Sequence, residues 1–442
     1  MKAIEKQRIQ QQFQEKMDYD ELLNCMRCGF CLPSCPTYIE SVQDERHSPR
    51  GRIALMKAVV DGEIEPDEEV KRSLDMCLGC RACEPVCPSG VQYGHLLEQA
   101  RDIIYQNKTS SPSAKLMKHF FFHQLFPHQN RMINFTSLLG LYQRSGMQKV
   151  ARKIGVMNLL PDSVRTMEKV LPNVPTKHEM KYRERHFQPK DAKKKRVAFF
   201  SGCLMDTMFL ETNKSSIKLL QYAGCEIVIP DQQACCGALH GHGGEKEKAK
   251  EMAKRNIQAF EEENIDYIIT NAGGCGAFLV DYDQLLKDDK EWAERAKMFA
   301  SKIKDITSVL VELEFHRQPL SLDDEVITYQ DSCHLRNGQK TFMEPRTLLS
   351  SIYGATYVEM KDASRCCGSA GIYNILESEM SMQILDYKMK QTVATKAKTV
   401  VTANPGCLLQ MKSGIEKEGL SDQVRAVHIV DLLLEAYENI RY

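Results

Sequence analysis

The sequence predicts a multidomain protein of mixed α+β and α/β class: a small helical domain, a helical connector and two copies of a βαβ-type cysteine-rich domain. Three observations carry this prediction. The 442 residues suffice for two to four domains. Two dense cysteine runs lie among short helical segments in the first hundred residues. Three cysteine landmarks recur at a nearly constant offset in the second half.

The domain boundaries follow from the positions of the cysteines and prolines. Residues 1–105 contain both cysteine runs, with prolines that punctuate short helices. Residues 106–194 contain no cysteine and are rich in His, Gln, Lys and Met, so we expect a helical connector there. The two copies of the cysteine-rich domain are expected over residues 195–320 and 321–442.

The repeat appears in the strands as well as in the cysteines. In each copy an apolar strand runs into a cysteine turn (VAFFSGC and VITYQDSC), a second strand follows (EIVIP and TYVEM), and a third ends in a Gly-Cys turn (YIITNAGGC and TVVTANPGC). Short β-branched runs that alternate with helix-length segments favour a parallel sheet with sites at the carboxyl ends of its strands. At offsets of 130 to 132 residues, the matched landmarks are Cys203 with Cys333, Cys235–Cys236 with Cys366–Cys367, and Cys275 with Cys407.

Composition excludes several classes of protein. Basic and acidic residues balance at 59 each, so no nucleic-acid partner is expected. No window is apolar enough to span a membrane, and the first residues lack the apolar centre of a signal peptide. Seventeen cysteines in a reducing cytosol favour metal sites or redox catalysis over disulfides. We expect a cytoplasmic protein, with peripheral association at the inner face of the membrane as an open alternative.

The two cysteine runs, CMRCGFCLPSCP and CLGCRACEPVCP, share the spacing C-x2-C-x2-C-x3-C-P of bacterial ferredoxins. Tetrahedral zinc has no need of four cysteines within eleven residues, twice, so two [4Fe–4S] clusters are expected. In two-cluster ferredoxins the fourth cysteine of each run ligates the other cluster. The resemblance therefore implies one ligand set of Cys25, Cys28, Cys31 and Cys87, and a second of Cys77, Cys80, Cys83 and Cys35.

The repeated landmarks, Cys then Cys-Cys-Gly then Gly-Cys, resemble the duplicated cysteine-rich "CCG" domain. That domain occurs in the heterodisulfide reductase subunit with noncubane clusters and in iron–sulfur subunits that serve glycerol-3-phosphate, lactate and glycolate oxidation. With two ferredoxin runs in front and the segment SPRGRI between them, the whole chain is similar to the family of glycolate oxidase iron–sulfur subunits.

The chain departs from the heterodisulfide reductase pattern at its last landmark, which is CxxC in that protein. Phe278 and Gln410 stand where the second cysteine of each such pair would be. Each copy still offers four cysteines to an additional iron–sulfur cluster. Redox-active thiols, with Cys236 and Cys367 as candidates, and plain structural thiols remain open. The candidate sets are Cys203, Cys235, Cys236 and Cys275 in the first copy, and Cys333, Cys366, Cys367 and Cys407 in the second.

The resemblance implies an electron-transfer subunit of a multi-subunit glycolate dehydrogenase or oxidase. The sequence has no flavin or nicotinamide fingerprint, and oxidation of a 2-hydroxy acid needs a hydride acceptor. We therefore expect neither flavin nor NAD on this chain, a partner subunit that carries FAD, and delivery of electrons to quinone or another carrier. The alternatives are a heterodisulfide reductase-like catalyst and the equivalent subunit for lactate or glycerol-3-phosphate.

A few further residues lie near these motifs or in the connector. His240, His242 and His334 lie near the cysteine turns, and we interpret them as polar turn residues rather than ligands. Cys225 aligns with Ala355 and is interpreted as a buried small side chain. The segment KHFFFHQLFPHQ is expected to pack in the connector, with docking to a partner or membrane as the alternative.

Overall fold

The structure is a computed structural model that describes residues 1–442 apart from 110, 156, 158–161, 183, 262–263 and 442. Its first part is helical and surrounds a core of apolar side chains that includes Phe13, Met56 and Leu96. The two cysteine runs are irregular loops between these helices. The helices are α1 (Ala3–Lys16), α2 (Tyr19–Leu23), α3 (Pro36–Glu40), α4 (Pro49–Asp61), α5 (Glu68–Asp75) and α6 (Tyr93–Asn107), with a 3-10 turn at Glu45–His47.

The described part of the connector is mostly helical, although its expected range also includes a short strand, His186–Phe187. The segment KHFFFHQLF contains a π-helix, His119–Leu125. Its apolar side chains differ in exposure, because Phe122 and Leu125 are buried while Phe120 is exposed. The segment was predicted to pack in the connector, and only part of it does so. The α-helices here are α7 (Pro112–Lys118), α8 (Gln129–Arg144), α9 (Met147–Lys153), α10 (Asp162–Val170) and α11 (Lys177–Lys181).

A first sheet follows, with strand order β1-β3-β2-β4-β5. All its pairings are parallel except that of β1 with β3. Its strands are β1 (His186–Phe187), β2 (Lys195–Phe199), β3 (Cys225–Val228), β4 (Tyr267–Thr270) and β5 (Ile303–Asp305). Its helices are α12 (Leu210–Tyr222), α13 (Ala238–His242), α14 (Lys246–Glu261), α15 (Gly273–Val280), α16 (Tyr282–Leu285), α17 (Ala293–Ser301) and α18 (Ile306–Glu312).

A second sheet has the order β7-β6-β8-β9, which matches that of β3-β2-β4-β5, and it is parallel throughout. Its strands are β6 (Ser321–Gln330), β7 (Tyr353–Tyr357), β8 (Thr399–Thr402) and β9 (Arg425–His428). The helices are α19 (Cys333–Asn337), α20 (Met343–Ser350), α21 (Tyr373–Leu376), α22 (Ser378–Ala394), α23 (Pro405–Lys417) and α24 (Ile429–Glu438), with 3-10 turns at Phe315–Arg317 and Asn439–Arg441.

The two sheets share one apolar core. Buried side chains of α12, α18 and α24 lie in it with those of both central strands, β2 and β6. Cys225, at the start of β3, is fully buried in this core. The predicted mixed helix-and-sheet class with parallel sheets is confirmed. In the described part of the chain, each helix is too short or too polar to cross a bilayer.

Candidate iron–sulfur sites

The first ferredoxin-type site comprises Cys25, Cys28, Cys31 and Cys87. The structure places these four cysteines around one small cavity, although Cys87 belongs to the other run. Cys83 also lines the cavity. Gly29 has a φ of +88°, and an added Cβ would lie 2.9 Å from Nη1 of Arg50, which donates to the carbonyl of Arg27. A glycine is needed here because the loop must turn left-handed directly against Arg50.

The second ferredoxin-type site comprises Cys77, Cys80, Cys83 and Cys35, all of which are buried. Burial raises the pKa of Cys80 and Cys83, and the thiol of Cys35 adds to this effect on both. Cys35 therefore lies within electrostatic reach of the second run, as it does of Cys31 in its own run. Polar groups face the sulfurs, since the Gly79 N–H and the Tyr93 hydroxyl each donate to Cys77 Sγ over 3.4 Å.

Arg52 is a residue of this site that the sequence reasoning did not assign. Its side chain is fully buried and donates to the Ser73 carbonyl (2.7 Å) and the Thr37 hydroxyl (3.0 Å), while Nη1 lies 4.0 Å from Cys35 Sγ. Burial raises the pKa of Cys77, but the positive charges of Arg52 and Arg101 outweigh it and lower the pKa overall. The positive charges of Arg52 and Arg101 thus favour negative charge at this site. The only sequence signal was the segment SPRGRI, in which Arg52 lies.

The first repeat site comprises Cys203, Cys235, Cys236 and Cys275. Thiol contacts join these cysteines in series, from Cys203 to Cys235, to Cys236 and to Cys275. Two side chains donate hydrogen bonds to the turn that contains the adjacent cysteines, Cys235 and Cys236. Asn256 donates to the Cys235 carbonyl (3.0 Å) and Tyr282 to the Cys236 carbonyl (2.6 Å).

The second repeat site comprises Cys333, Cys366, Cys367 and Cys407, which are all buried. Cys333 and Cys366 have their Sγ atoms 4.0 Å apart, and contacts continue to Cys367 and Cys407. Gly368 has a φ of +92° and donates its N–H to Cys366 Sγ over 3.5 Å. Burial lowers the pKa of nearby Lys388, which donates to the Asp362 carbonyl, to about 8. Sequence reasoning missed this lysine, which is one polar position on a buried helix face.

The second ferredoxin-type site and the second repeat site adjoin each other. Cys80, Cys333 and Cys366 lie in one apolar core. Three hydrogen bonds to backbone carbonyls join the parts: His334 to Gly79 (3.1 Å), Asn337 to Cys80 (2.9 Å) and Tyr373 to Met76 (3.0 Å).

The two repeat sites also meet. Cys275 of the first packs against the apolar core that contains Cys367 and Cys407 of the second. The Gly274 N–H donates to Asn404 Oδ1 over 3.1 Å at the same junction. The four cysteine sites thus follow one another in space. Their order is the first ferredoxin-type site, the second ferredoxin-type site, the second repeat site and the first repeat site.

The three histidines near the cysteine turns have more contacts than turn residues need. His240 is buried, with Nε2 2.6 Å from the Phe122 carbonyl of the connector. His242 Nδ1 lies 2.7 Å from Glu98 Oε1 on α6, and the His242 ring stacks on that of His334. Our interpretation as polar turn residues is therefore incomplete, because all three join the repeats to the preceding parts of the chain.

The donor sets fit iron–sulfur clusters. In the described part of the chain, three or more His, Cys, Asp or Glu side chains nowhere converge closely enough to hold a single metal ion. A cubane cluster instead carries its thiolates at separate corners and is stabilised by hydrogen bonds to sulfur. Both ferredoxin-type sites offer four cysteines, and the second adds N–H and O–H donors aimed at sulfur and the buried positive charge of Arg52.

Comparison with protein families agrees with this layout. Residues 21–91 match the model of the 4Fe-4S dicluster domain. Residues 113–171 match the linker region of the glycolate oxidase iron–sulfur subunit, and residues 197–280 and 327–412 each match the cysteine-rich domain.

Curated relatives align along the chain. A probable glycolate oxidase iron–sulfur subunit of Bacillus subtilis (strain 168) is 66% identical over 98% of both chains. The glycolate oxidase iron–sulfur subunit of Escherichia coli (strain K12) is 31% identical over 95% of this chain and 96% of its own. Lactate utilization protein A of Exiguobacterium sp. is 30% identical over 54% of this chain and 97% of its own. By the full-length identity and the three family matches together, this chain belongs to the family of glycolate oxidase iron–sulfur subunits.

Proposed function

We propose that this chain is the iron–sulfur electron-transfer subunit of a complex that oxidises glycolate, a 2-hydroxy acid, and that it holds two [4Fe–4S] clusters. One observation supports the cluster assignment: Cys87 lines one cavity with the first three cysteines of the first run, and Cys35 is not among the residues that line it. Each cluster supplies single-electron transfer when bound. The chain supplies the thiolates, the buried positive charge and the exclusion of water.

The two repeat sites are proposed to bind iron–sulfur clusters as well, rather than to act as redox thiols. Contact with Cys235 and burial raise the pKa of Cys203 well above its usual value, and contact with Cys366 and burial do the same for Cys333. Buried, protonated thiols are poor nucleophiles. Four thiols in contact are better suited to ligate metal, which deprotonates thiols on binding.

The electron donor is proposed to be an FAD-containing partner subunit that docks on the loop of the first run. Cys28 is exposed there, as are the large side chains of Met26, Phe30 and Leu23. We name these three the loop patch. Solvent-exposed Met and aromatic side chains are enriched at protein interfaces. A donor seated on this patch would lie directly over the first ferredoxin-type site.

The connector is proposed to hold the protein at the inner face of the membrane. Exposed apolar side chains follow one face of α8 (Phe135, Leu138, Leu141) and continue on α9 (Met147, Val150, Ile154). We name these six the connector patch. Exposed Lys149 and Lys153 flank it on α9. Apolar side chains that alternate with basic ones suit the surface of an anionic bilayer.

The central test compares iron, acid-labile sulfide and dithionite-reduced EPR spectra of anaerobically purified full-length variants. Cross-ligation predicts that Cys87→Ser reproduces the spectrum of Cys28→Ser, and that Cys35→Ser reproduces that of Cys80→Ser. Cys225→Ala is the matched control, because this thiol is buried outside all four sites. The opposite pairing of spectra would overturn the ligand sets. Wild-type iron near zero would overturn the proposed function itself.

The same preparations test the repeat sites. Two clusters account for about eight irons per chain. More than that, with the excess lost in Cys236→Ser and Cys367→Ser, is the expected result. A count of about eight that both variants retain would contradict clusters in the repeats and leave their cysteines as redox-active or structural thiols.

A further inference from the structure

A cavity of about 640 Å³ lies where three parts of the chain meet, and we name it the junction cavity. Its walls come from the second cysteine run and α6, from the loop and helices around α13 and α15, and from the turn before α21. Cys77 and Gly79 of the second ferredoxin-type site form part of the lining. The volume is in the range of small-molecule sites, which lie preferentially between domains.

Two imidazoles and a carboxylate face this cavity. The rings of His242 and His334 are stacked, with centroids 5.4 Å apart and planes at 16°. His334 is anchored by its contact with the Gly79 carbonyl, 3.1 Å away. His242 donates from Nδ1 to Glu98, whose pKa this hydrogen bond holds below its usual value against the effect of burial. The second nitrogen of His242, Nε2, takes no part in this hydrogen bond.

Carboxylates outnumber basic side chains in the lining, which disfavours an anionic occupant. The carboxylates are those of Asp18, Glu21, Asp75, Glu98, Asp281, Asp283 and Glu377, and the basic side chains are Arg81, Arg101, Lys246 and Lys287. Arg81 pairs with Glu84 (2.9 Å) and Asp281 (2.7 Å). Arg101 donates to the backbone carbonyls of Leu74, Asp75 and Cys77. The two arginines are thus already engaged and do not offer a fork to a carboxylate substrate.

The remaining lining supports a flat apolar ring. Leu239, Phe278, Ile372 and Leu376 contribute apolar side chains, and Phe278 meets the His242 ring edge to face at 5.7 Å. A neutral redox partner that is apolar, planar and takes up protons has the chemistry of a quinone. It would be held between apolar walls with a proton donor at one carbonyl.

We infer that the junction cavity is the site at which a quinone accepts electrons from this chain, and that the pair His242–Glu98 supplies a proton to it. The quinone takes up two electrons, one at a time, from the site whose ligand Cys77 lines the wall, and two protons. Its two carbonyls become hydroxyls; one proton passes through His242 Nε2, and the other is taken up from solvent water at the mouth of the cavity. The electrons come from oxidation of the 2-hydroxy acid in the partner subunit, so the inference rests on the proposed function.

The test separates proton-coupled from simple electron transfer in the full-length, cluster-loaded chain. Prereduced protein is mixed in a stopped-flow instrument with duroquinone, whose fully substituted ring does not alkylate thiols, or with ferricyanide, which takes up an electron without a proton. We expect His242→Gln to slow oxidation by duroquinone about tenfold or more and to leave oxidation by ferricyanide unchanged. His178→Gln, an exposed histidine of the connector, is the matched control and should behave as wild type.

Binding is measured independently of turnover. Equilibrium dialysis of duroquinone with the oxidised protein should show binding that Leu239→Trp, which fills the cavity, weakens about tenfold or more. Equal duroquinone kinetics in wild type and His242→Gln, or unchanged binding in Leu239→Trp, would overturn the inference while leaving the clusters in place. Loss of iron from the wild-type chain, or its failure to reduce ferricyanide, would instead contradict the proposed function.

Discussion

At the scale of single residues, the most consequential side chain outside the cysteines is Arg52. A buried guanidinium has a high cost of desolvation unless its donors are satisfied. Here they reach the Ser73 carbonyl, the Thr37 hydroxyl and the neighbourhood of Cys35 Sγ. The charge thus stabilises the fold around the second ferredoxin-type site and favours added negative charge on anything bound there.

Replacement of Arg52 tests both roles. We expect Arg52→Met to lower the free energy of unfolding by about 3 kcal/mol or more, because two buried acceptors lose their donor. We also expect the reduction potential of the second site to become more negative, since a positive charge that favours the reduced state is gone. Thermal unfolding and redox-poised EPR measure the two effects. Arg8→Met, at an exposed position of α1, is the control. An unchanged potential would contradict the electrostatic role.

Asp305 gives a prediction for pH. It is fully buried at the start of α18, accepts a hydrogen bond from the Thr307 N–H (2.8 Å), and burial raises its pKa from 3.8 to about 6. Between these two values the folded protein binds more protons than the unfolded chain. The contribution of Asp305 to the free energy of unfolding therefore falls as pH rises through this window, by roughly 3 kcal/mol in all.

Asp305→Asn keeps the cap but cannot ionise. Its thermal midpoint should rise relative to wild type between pH 4 and pH 6 and stay higher at pH 7. Asp324→Asn, at an exposed position, should show no such pH-dependent difference. A constant difference between Asp305→Asn and wild type across this range would mean that Asp305 does not titrate there.

Sequence reasoning identifies some of the side chains that form the candidate sites and misses others. The eight cysteines of the two runs were predicted because their spacing repeats a fixed geometric requirement of a cluster. Arg52 and Glu98 carry no such pattern, since each is one polar position on an amphipathic helix. Their partners, Cys35 for Arg52 and His242 for Glu98, are 17 and 144 residues away in the chain.

At the scale of elements, the packing at the start of α4 sets the positions of Arg50 and Arg52, the two arginines of SPRGRI. Ser48 caps the helix by accepting from the Gly51 N–H (2.9 Å), and Pro49 occupies the first turn. A Cβ on Gly51 would lie 1.8 Å from the Glu45 carbonyl oxygen. The 3-10 turn and α4 therefore meet so closely that only glycine fits at the contact.

We expect Gly51→Ala to lower the free energy of unfolding by about 3 kcal/mol and to reduce iron content, because the turn must move and carry Arg50 and Arg52 with it. Gly140→Ala in α8 is the matched control, since its new Cβ meets only the flexible end of Arg144. Thermal midpoint and iron per chain report the result. If both variants behaved alike, close packing at the α4 entry would not be the reason for the glycine.

The elements themselves were predictable in proportion to their length and pattern. The six strands beside the cysteine turns were expected, and β2, β3, β4, β6, β7 and β8 lie there. Strands β1, β5 and β9 were missed because they neither run into a cysteine landmark nor lie between two of them, and two to four residues alone give no usable alternation. The π-helix His119–Leu125 was missed for another reason: its apolar run reads as an ordinary helix.

At the scale of the whole molecule, the sites form a path because separate parts of the chain dock on one another. Arg81 of the second run pairs with Asp281 beside α15, and Arg365 beside Cys366 pairs with Glu40 of α3. Such pairs join residues 200 to 325 positions apart. No periodicity or spacing encodes them, so the sequence predicted the sites but neither their order in space nor the junction cavity.

The final prediction separates the two exposed surfaces. Met26→Glu with Phe30→Glu, in the loop patch, should abolish copurification with the flavoprotein subunit and slow its electron delivery about tenfold or more, because two charges replace the apolar contact. Leu138→Glu with Leu141→Glu, in the connector patch, should abolish cosedimentation with phosphatidylglycerol vesicles instead. Each pair serves as the control for the other, and both should retain wild-type iron. If the connector variant lost the flavoprotein and kept the vesicles, the connector would be the docking face for the donor, and the first ferredoxin-type site would no longer be its point of entry.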